Sequence, residues 1–190
     1  MPNGNFLTLA RKQYTNEEFE ALGFMNDIGS SFRVMDAIIE FDSNTGQVVW
    51  EWYIADHLIQ QRDINAPNYG ILSENPQLLN VDAILDFDWD YGESFMINGF
   101  DYNSDTDEIA LSVRKLSEVV IIDHSTTTEQ ASRHSGGNHG KGGDAIYRWG
   151  NAANYGHNEE RQLYFQHNPN WVKYGEHKGK LIIFNNGLNR

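Results

Sequence analysis

Histidine is the residue type in this chain best suited to group-transfer chemistry, because seven are present and cysteine is absent. The missing cysteines exclude thiolate nucleophiles, disulfide bonds and zinc-thiolate sites. Most histidines fill solvated loops or satisfied hydrogen-bonded positions, but neutral imidazole is also a nucleophile near pH 7. His167 differs from the others because it begins a predicted strand, at the position that Met96 holds in a preceding similar unit. We predict that this position faces the central channel of a repeated fold.

A glycine-rich loop, residues 136–143, has the composition of a phosphate-binding P-loop but lacks its spacing. Ser135 stands where the first glycine is expected, and Gly142 instead of Ser or Thr follows Lys141. Neither a buried strand before the loop nor a helix after it can be read from the sequence. We therefore predict a connector and not a nucleotide site.

The acidic and histidine clusters do not predict a metal site. His134 and His139 are close in sequence to Asp144, but no predicted helix aligns them toward one ion. The alternation of acidic and aromatic residues in 86–90 places three aspartates on one strand face, which leaves a calcium site there as an open alternative.

An internal repeat indicates how these side chains are positioned. Residues 46–52 and 143–149 share the pattern glycine, polar, small apolar, β-branched, aromatic, charged, tryptophan. Residues 4–11, 107–114 and 179–186 each read as a turn followed by an apolar strand. Repeated strand sets with tryptophans near their ends are typical of a β-propeller, whose chemistry gathers at one end of the central channel.

The predicted fold class is all-β: a partial β-propeller of four-stranded antiparallel blades with about nine strands. Thr15 and Glu18 form a capping-box pattern, so one short helix is predicted near the N-terminus over residues 16–22, ending at Gly23.

We predict a single domain over residues 1–190. It contains an incomplete blade at about 4–53, an insertion at about 57–90, a full blade at about 95–150 and an incomplete blade at about 164–190. A closed propeller usually has at least four blades, because ring closure removes exposed sheet edges. Either the chain is a piece of a longer protein, or its open edges are covered by a partner or by self-association with another copy.

The composition restricts the partners. The 27 acidic and 14 basic residues give a formal charge of -13, which repels phosphate backbones and anionic lipids. Neither nucleic acid nor a membrane is therefore a predicted partner, and no stretch approaches the roughly 20 apolar residues of a membrane span. The start of the chain, Met1–Asn5, lacks the features of a secretory signal, which by itself predicts a cytoplasmic location.

Several runs, taken in their order along the chain, resemble the arylsulfate sulfotransferase family of bacterial-type six-bladed propellers. The resembling runs are Met1–Asn5, Val49–Trp52 with Asp56–Leu58, Ile97–Asn98 with Tyr102–Asn103, Leu111–Arg114, Ile122–Thr126, Gly142–Asp144 with Tyr147–Asn151, Gln166–His167, and Phe184–Gly187. In that family a histidine is transiently sulfated by a phenolic sulfate ester and passes the group to a phenol. The resemblance implies these two substrates, no cofactor, and a periplasmic or secreted location.

The resemblance also implies roles for individual residues. His167, in the Gln-His motif, is the implied nucleophile, and Arg114, in the Ser-x-Arg motif, is implied to hold the sulfuryl oxygens. His57, in the Asp-His-Leu motif, is implied as a further catalytic residue. Imidazole forms a labile N-sulfo bond, and a guanidinium offers a charged fork of donors, so the chemistry agrees with these roles. The residues implied to bind substrate are Asn98, Met96 and Asn186.

Met96 departs from the family pattern, which has a histidine at this place. A thioether cannot donate a hydrogen bond or transfer a proton, and loss of one transition-state donor typically costs about 3 kcal/mol. The alternative function is therefore a catalytically inactive propeller fragment that acts as a binding or assembly module. A propeller dehydrogenase with a quinone cofactor is a third interpretation, disfavoured because no tryptophan-docking repeat is visible.

Overall fold

The computed structural model describes residues 1–24, 33–84 and 95–187. The strands in these ranges are β1 (Phe6–Tyr14), β2 (Arg33–Phe41), β3 (Val48–Tyr53), β4 (Leu58–Ile59), β5 (Leu79–Asn80), β6 (Ile97–Asn103), β7 (Glu108–Val113), β8 (Glu118–Asp123), β9 (Tyr147–Trp149), β10 (His167–Trp171) and β11 (Leu181–Phe184). The α-helices are α1 (Asn16–Ala21) and α2 (Thr128–Ala131), and 3-10 helices span Ile54–His57, Leu72–Glu74, Asp82–Ile84 and Ala152–Tyr155. Within the described ranges, the helices are too short or too polar to cross a membrane.

The strands form four sheets. β1, β2 and β3 make the first, β6 to β9 make the second in meander order, and β10 pairs with β11 in the third, all antiparallel. β4 and β5 form a short parallel pair. The four-stranded sheet has the meander order of a propeller blade, and the other antiparallel sheets have three and two strands. The prediction of an all-β partial propeller is confirmed.

Short polar residues define the hairpin turns. Oδ1 of Asp42 accepts hydrogen bonds from the backbone N–H groups of Asn44 and Thr45, which closes the turn between β2 and β3. In the second sheet, Asp107 and Ser117 adopt left-handed backbone conformations, with φ of 57° and 56°, in the turns before β7 and β8. These turns fix the register of the three central strands.

β7 and β8 form the centre of the molecule, where both faces of the sheet are buried. One face joins a core shared with β2, β3 and α1, and the other packs against a smaller cluster that includes Leu163, Trp171 and Leu181. A strand covered on both faces reads as a nearly continuous apolar run instead of an alternating one. The sequence of β8 has this character.

The strands predicted within residues 4–11, 46–52, 107–114, 143–149 and 179–186 are present as β1, β3, β7, β9 and β11, and α1 lies where the capping box predicts it. α1 begins after a capping box at Thr15 and ends before Gly23, whose φ is 85°. The sequence analysis does not predict β4 and β5, which have two residues each and are too short to carry a hydrophobic period, nor α2, although a capping box of Thr127 and Gln130 begins it. The predicted division of the domain into blades and an insertion stays a prediction.

The repeated tryptophan motif occupies equivalent strands but different environments. β3 and β9 are each the last strand of their sheet. Trp50 and Trp52 of β3 are buried, whereas Tyr147 and Trp149 of β9 are 54% and 42% exposed. Nε1 of Trp52 donates to the backbone oxygen of Gly143 at 2.7 Å, so the glycine-rich loop covers β3. The repeated motif therefore indicates which strand of a sheet its residues occupy, but it does not indicate whether their side chains are buried.

A buried ion pair fixes β9 to β8. Nε and Nη2 of Arg148 lie 2.7 and 2.9 Å from the two carboxylate oxygens of Glu118, and the two side chains are 4% and 0% exposed. Burial raises the pKa of Glu118, while the charge of Arg148 and hydrogen bonds from Arg148 and Asn154 act against that rise. Arg148 also donates to the backbone oxygen of Leu78 at 2.7 Å, so the pair ties the second sheet to the segment that contains β5.

Arg148→Met is expected to lower the free energy of unfolding by about 3–5 kcal/mol, because it leaves the Glu118 carboxyl buried without its cation. Urea denaturation followed by tryptophan fluorescence measures this. Arg133→Met is the control, since Arg133 pairs with Glu129 at the surface with 65% and 74% of the side chains exposed. The control is expected to change stability by less than about 1 kcal/mol, and equal effects would contradict the assigned role of the buried pair.

Candidate active site

His167 lies at the start of β10, beside the start of β6. Nδ2 of Asn98 is 3.0 Å from Nδ1 of His167 and donates to the backbone oxygen of Gln166 at 2.8 Å. The contact places Asn98 on the Nδ1 side of the ring. Nε2, on the other side of the ring, takes no part in this contact.

The buried side chain of Gln166 anchors this segment to the second sheet. Its Nε2 lies 3.1 Å from Oγ of Ser112, 3.3 Å from the backbone oxygen of Val113 and 2.8 Å from that of Glu118. Oγ of Ser112 in turn donates to the backbone oxygen of Gln166 at 3.1 Å. These bonds fix the start of β10, and with it His167, against β7 and β8.

Backbone strain is concentrated around His167. Phe165 and Asn168 have φ of 50°, and Met96, near Asn98, has φ of 58°. In the part of the chain that the structure describes, the other non-glycine residues with positive φ are two turn residues, before β7 and β8. Each such conformation costs on the order of 1–3 kcal/mol and persists where the surroundings enforce it, typically at functional sites.

Two bulges let the first strands of neighbouring sheets approach each other. The β6–β7 register shifts within residues 97–100, and the β10–β11 register shifts within residues 167–170. A Cβ atom on Gly99 would lie 3.1 Å from the backbone nitrogen of Asn168, closer than most such contacts. Glycine at this position therefore permits the close packing that brings Asn98 to the imidazole.

Arg114 directly follows β7 and contacts Met96. Its Nη1 lies 3.5 Å from Sδ of Met96, and its backbone N–H donates to the backbone oxygen of Met96 at 3.0 Å. The guanidinium carbon lies 5.1 Å from the centre of the Phe165 ring. Phe165 precedes His167 by two residues, and Met96 precedes Asn98 by two. Four of the predicted site residues thus lie on adjoining segments.

Arg161 is a second cation at this site, and the sequence analysis does not identify it. Its guanidinium carbon lies 5.5 Å from the centre of the Phe165 ring and 4.4 Å from that of Tyr164, and its Nη2 donates to Oγ of Ser117. Burial lowers the pKa of Arg161, although a guanidinium stays charged at any working pH. In the sequence, residues 159–161 resemble an ordinary charged surface segment, so nothing there distinguishes Arg161 as a site residue.

Asn186 and its neighbour brace the loop that leads to His167. Nδ2 of Asn186 donates to the backbone oxygen of Phe165 at 2.6 Å. Oδ1 of Asn185 accepts from the backbone N–H of Tyr164 at 2.8 Å. Both contacts are to the backbone of the chain itself, and the role of Asn186 in substrate binding stays a prediction.

His57 belongs to a separate cluster at the end of a 3-10 helix. The side chain is buried, with Nδ1 2.7 Å from Oδ1 of Asp144 and Nε2 2.9 Å from the backbone oxygen of Ala131. The Trp52 ring stacks on the imidazole at 5.5 Å with an interplanar angle of 4°. A Cβ atom on Gly143 would collide with the Ala131 oxygen and the His57 ring, so glycine is required there. The catalytic role of His57 stays a prediction.

The two histidines near the glycine-rich loop have different partners. Nδ1 of His134 lies 2.8 Å from Oδ1 of Asp144, whereas Nε2 of His139 lies 3.1 Å from Oε1 of Glu108. The open calcium alternative concerns residues 86–90, which lie outside the described residues.

A cavity of about 590 Å³ lies at the opposite ends of the same strands. Residues of the segments 1–7, 100–105 and 171–179 line it. His167, Asn98 and Arg114 are absent from its wall, so its volume does not belong to the candidate site.

The comparison with known families agrees with the arrangement of these motifs. A sequence model described as arylsulfotransferase (ASST) matches residues 1–190. The chain belongs to the arylsulfotransferase family. No curated protein and no solved structure matches the chain. The resemblance inferred from the order of the short motifs is thereby confirmed at the level of the family.

Gln166→Leu in this arylsulfotransferase-family chain is expected to lower the free energy of unfolding by about 1–3 kcal/mol, because it leaves buried acceptors of β7 and β8 without their donor. Gln162→Leu is the matched control, since Gln162 is exposed and its amide donates to the backbone oxygen of Glu160. Chemical denaturation of both variants checks the difference. Equal stabilities would refute the anchoring role of Gln166.

Proposed function

We propose that this chain carries the site of a nucleotide-independent sulfuryl transfer, from a phenolic sulfate ester to a phenol through a sulfated histidine. The observation that carries the proposal is the contact between Asn98 and His167, next to the packing of Arg114 on Phe165, in a chain of the arylsulfotransferase family. An imidazole and a guanidinium on adjoining segments suit a reaction in which the transferred group is negatively charged throughout.

His167 is the proposed nucleophile, and the side-chain amide of Asn98 contacts its Nδ1. With Nδ2 of Asn98 directed at Nδ1, the neutral ring carries its proton on Nε2. Attack through Nε2 needs the other tautomer, with the proton on Nδ1. Oδ1 of Asn98 is buried without a hydrogen-bond partner among the described residues, and a half turn of the amide would bring it to accept that proton, at the cost of the hydrogen bond from Nδ2 to the backbone oxygen of Gln166. The amide of Asn98 thus serves both tautomers.

Arg114 is proposed to hold the sulfuryl oxygens. The net charge of -13 would repel an anionic substrate, so the site needs a local cation. A guanidinium presents N–H donors in a planar fork that matches two oxygens of a sulfate ester. Packing on Phe165 orients the group, and the thioether of Met96 is a weak acceptor that a charged oxygen would displace. Arg161, beside the same ring, adds positive charge.

The two half-reactions balance without a cofactor. In the first, Nε2 of His167 attacks sulfur, the bond from sulfur to the aryl oxygen breaks, and the phenolate leaves with the electron pair. In the second, the oxygen of the acceptor phenol attacks sulfur, the N–S bond breaks, and imidazole recovers its electron pair while the phenolic proton passes to solvent. Dividing one difficult transfer into two steps lowers the barrier of each.

His167→Ala is expected to reduce the release of phenol from a chromogenic aryl sulfate, assayed with a phenol acceptor, to the uncatalysed rate, because no other group in the proposal forms the covalent intermediate. The control is His177→Ala, which removes an exposed histidine that contacts Lys180. This variant is expected to react at the wild-type rate. If wild type and His167→Ala release phenol equally fast, His167 is not the nucleophile.

Arg114→Lys is expected to lower kcat/KM at least tenfold, or roughly 1.4 kcal/mol, because it keeps the charge but removes the fork of donors. Arg133→Lys, at an exposed ion pair, is the matched control and is expected to leave kcat/KM unchanged. Steady-state kinetics with the same aryl sulfate measure both. A kinetically silent Arg114→Lys would refute bidentate binding of the sulfuryl group.

The second candidate function is an inactive binding or assembly module. Met96 favours it, because the group that contacts Arg114 is a thioether and not a proton donor. Met96→His distinguishes the two functions, since an added donor at this place is expected to raise the rate by about a hundredfold or more in a working site. If neither the wild type nor Met96→His transfers the sulfuryl group, the result favours the binding module.

A further inference from the structure

Two histidines and an aspartate converge on one point, away from the contacts of His167. Nδ1 of His57 and Nδ1 of His134 lie 2.7 and 2.8 Å from the same oxygen, Oδ1 of Asp144. The two rings are 6.1 Å apart and nearly perpendicular, at 86°. Candidate ligand atoms of the three side chains all lie within 4.8 Å of one another. Each of the two imidazoles therefore directs its Nδ1 atom toward the carboxylate of Asp144.

The hydrogen bond on the far side of His57 determines what its Nδ1 can do. Nε2 lies 2.9 Å from the backbone oxygen of Ala131, which can only accept, so Nε2 carries a proton. In the neutral ring, Nδ1 then holds a lone pair that faces the carboxylate of Asp144. Two acceptors face each other favourably only with a cation between them, either a second ring proton or a metal ion.

The surroundings of His57 match those of a metal-ligating histidine. Such histidines usually donate their other ring N–H to a backbone carbonyl or a carboxylate, which fixes the ring and its tautomer. Trp52 stacks on the ring, and the backbone of Gly143 packs against it where a Cβ atom would not fit. His57 and Asp144 are thus buried and held in place before any ion binds.

The third side chain and the cavity beside it provide access. The His134 side chain is 63% exposed, so it can move outward while the other two ligands stay fixed. A tetrahedral ion with ligand distances of about 2.0–2.2 Å needs neighbouring ligand atoms roughly 3.3 Å apart, which requires the present contacts to open by about half an ångström. His134 also lines a cavity of about 350 Å³ whose wall includes Asp56.

We propose that His57, His134 and Asp144 bind one divalent transition-metal ion of the zinc class, with a fourth, open position toward the cavity that Asp56 lines. Imidazole nitrogens with one carboxylate oxygen suit Zn²⁺, Co²⁺ and Ni²⁺, and three protein ligands leave a position for water. The acidic side chain of Asp56 and the net charge of -13 favour a cation beside this cavity. The proposal is independent of sulfuryl transfer at His167.

The test is titration of the metal-free full chain with Zn²⁺ by calorimetry, and with Co²⁺ by its visible absorption. We expect one saturable site per chain and the intense visible bands of four-coordinate Co²⁺. His134→Ala is expected to weaken binding at least tenfold without unfolding the chain, because the removed side chain is exposed. His139→Ala is the control, since that histidine of the same region pairs with Glu108 instead, and it is expected to bind as wild type does.

Asp144→Asn provides a second variant of nearly unchanged shape, and circular dichroism checks that it folds. It is expected to lose the Co²⁺ bands. The proposal is overturned if no saturable binding occurs, if His134→Ala binds as tightly as wild type, or if His139→Ala weakens binding to the same extent. Because the readout is metal binding and not turnover, its failure would leave the role of His167 untouched.

Discussion

The side-chain amide of Gln166 is the contact on which the geometry of the candidate active site depends. It bonds to β7 and β8 from a fully buried position, and the residues on either side of the Gln-His pair, Phe165 and Asn168, adopt strained conformations. Without this anchor, the strain would relax by moving His167. The same anchor lets Asn98 reach both the Gln166 backbone and the imidazole.

Glycine and bulges have a comparable function at the two clusters. At the first, Gly99 allows β6 to approach β10, and at the second, Gly143 allows the loop to pack against His57. The missing side chain permits close contact with the backbone of Asn168 at the first and with the ring of His57 at the second.

Local signals explain how much of the fold could be predicted from the sequence. The capping box at Thr15, the turn residues at Asp42 and the apolar run of β8 act over a few residues, so α1 and the longer strands could be located. The roles predicted for residues on the family motifs, His167 and Arg114 among them, came from the resemblance and not from spacing.

The contacts that the sequence analysis missed depend on long-range packing. His57 and Asp144 are 87 positions apart, so no spacing rule could join them, whereas His134 and His139 are both close to Asp144 in the sequence. Arg161 was missed for a similar reason, because its approach to Phe165 follows from the loop before β10 and its sequence context resembles surface charge. The burial of Trp52 against the exposure of Trp149 likewise depends on what covers each sheet edge.

The central claim is that the imidazole of His167 carries the sulfuryl group between two phenols. The most direct measurement is mass spectrometry of the chain, and of its peptides at neutral to alkaline pH, after mixing with an aryl sulfate without an acceptor. The account predicts one added sulfuryl group on the peptide that contains His167, which a phenol acceptor removes and His167→Ala abolishes. Transfer that proceeds with no label on this peptide, or with the label on another residue, would contradict it.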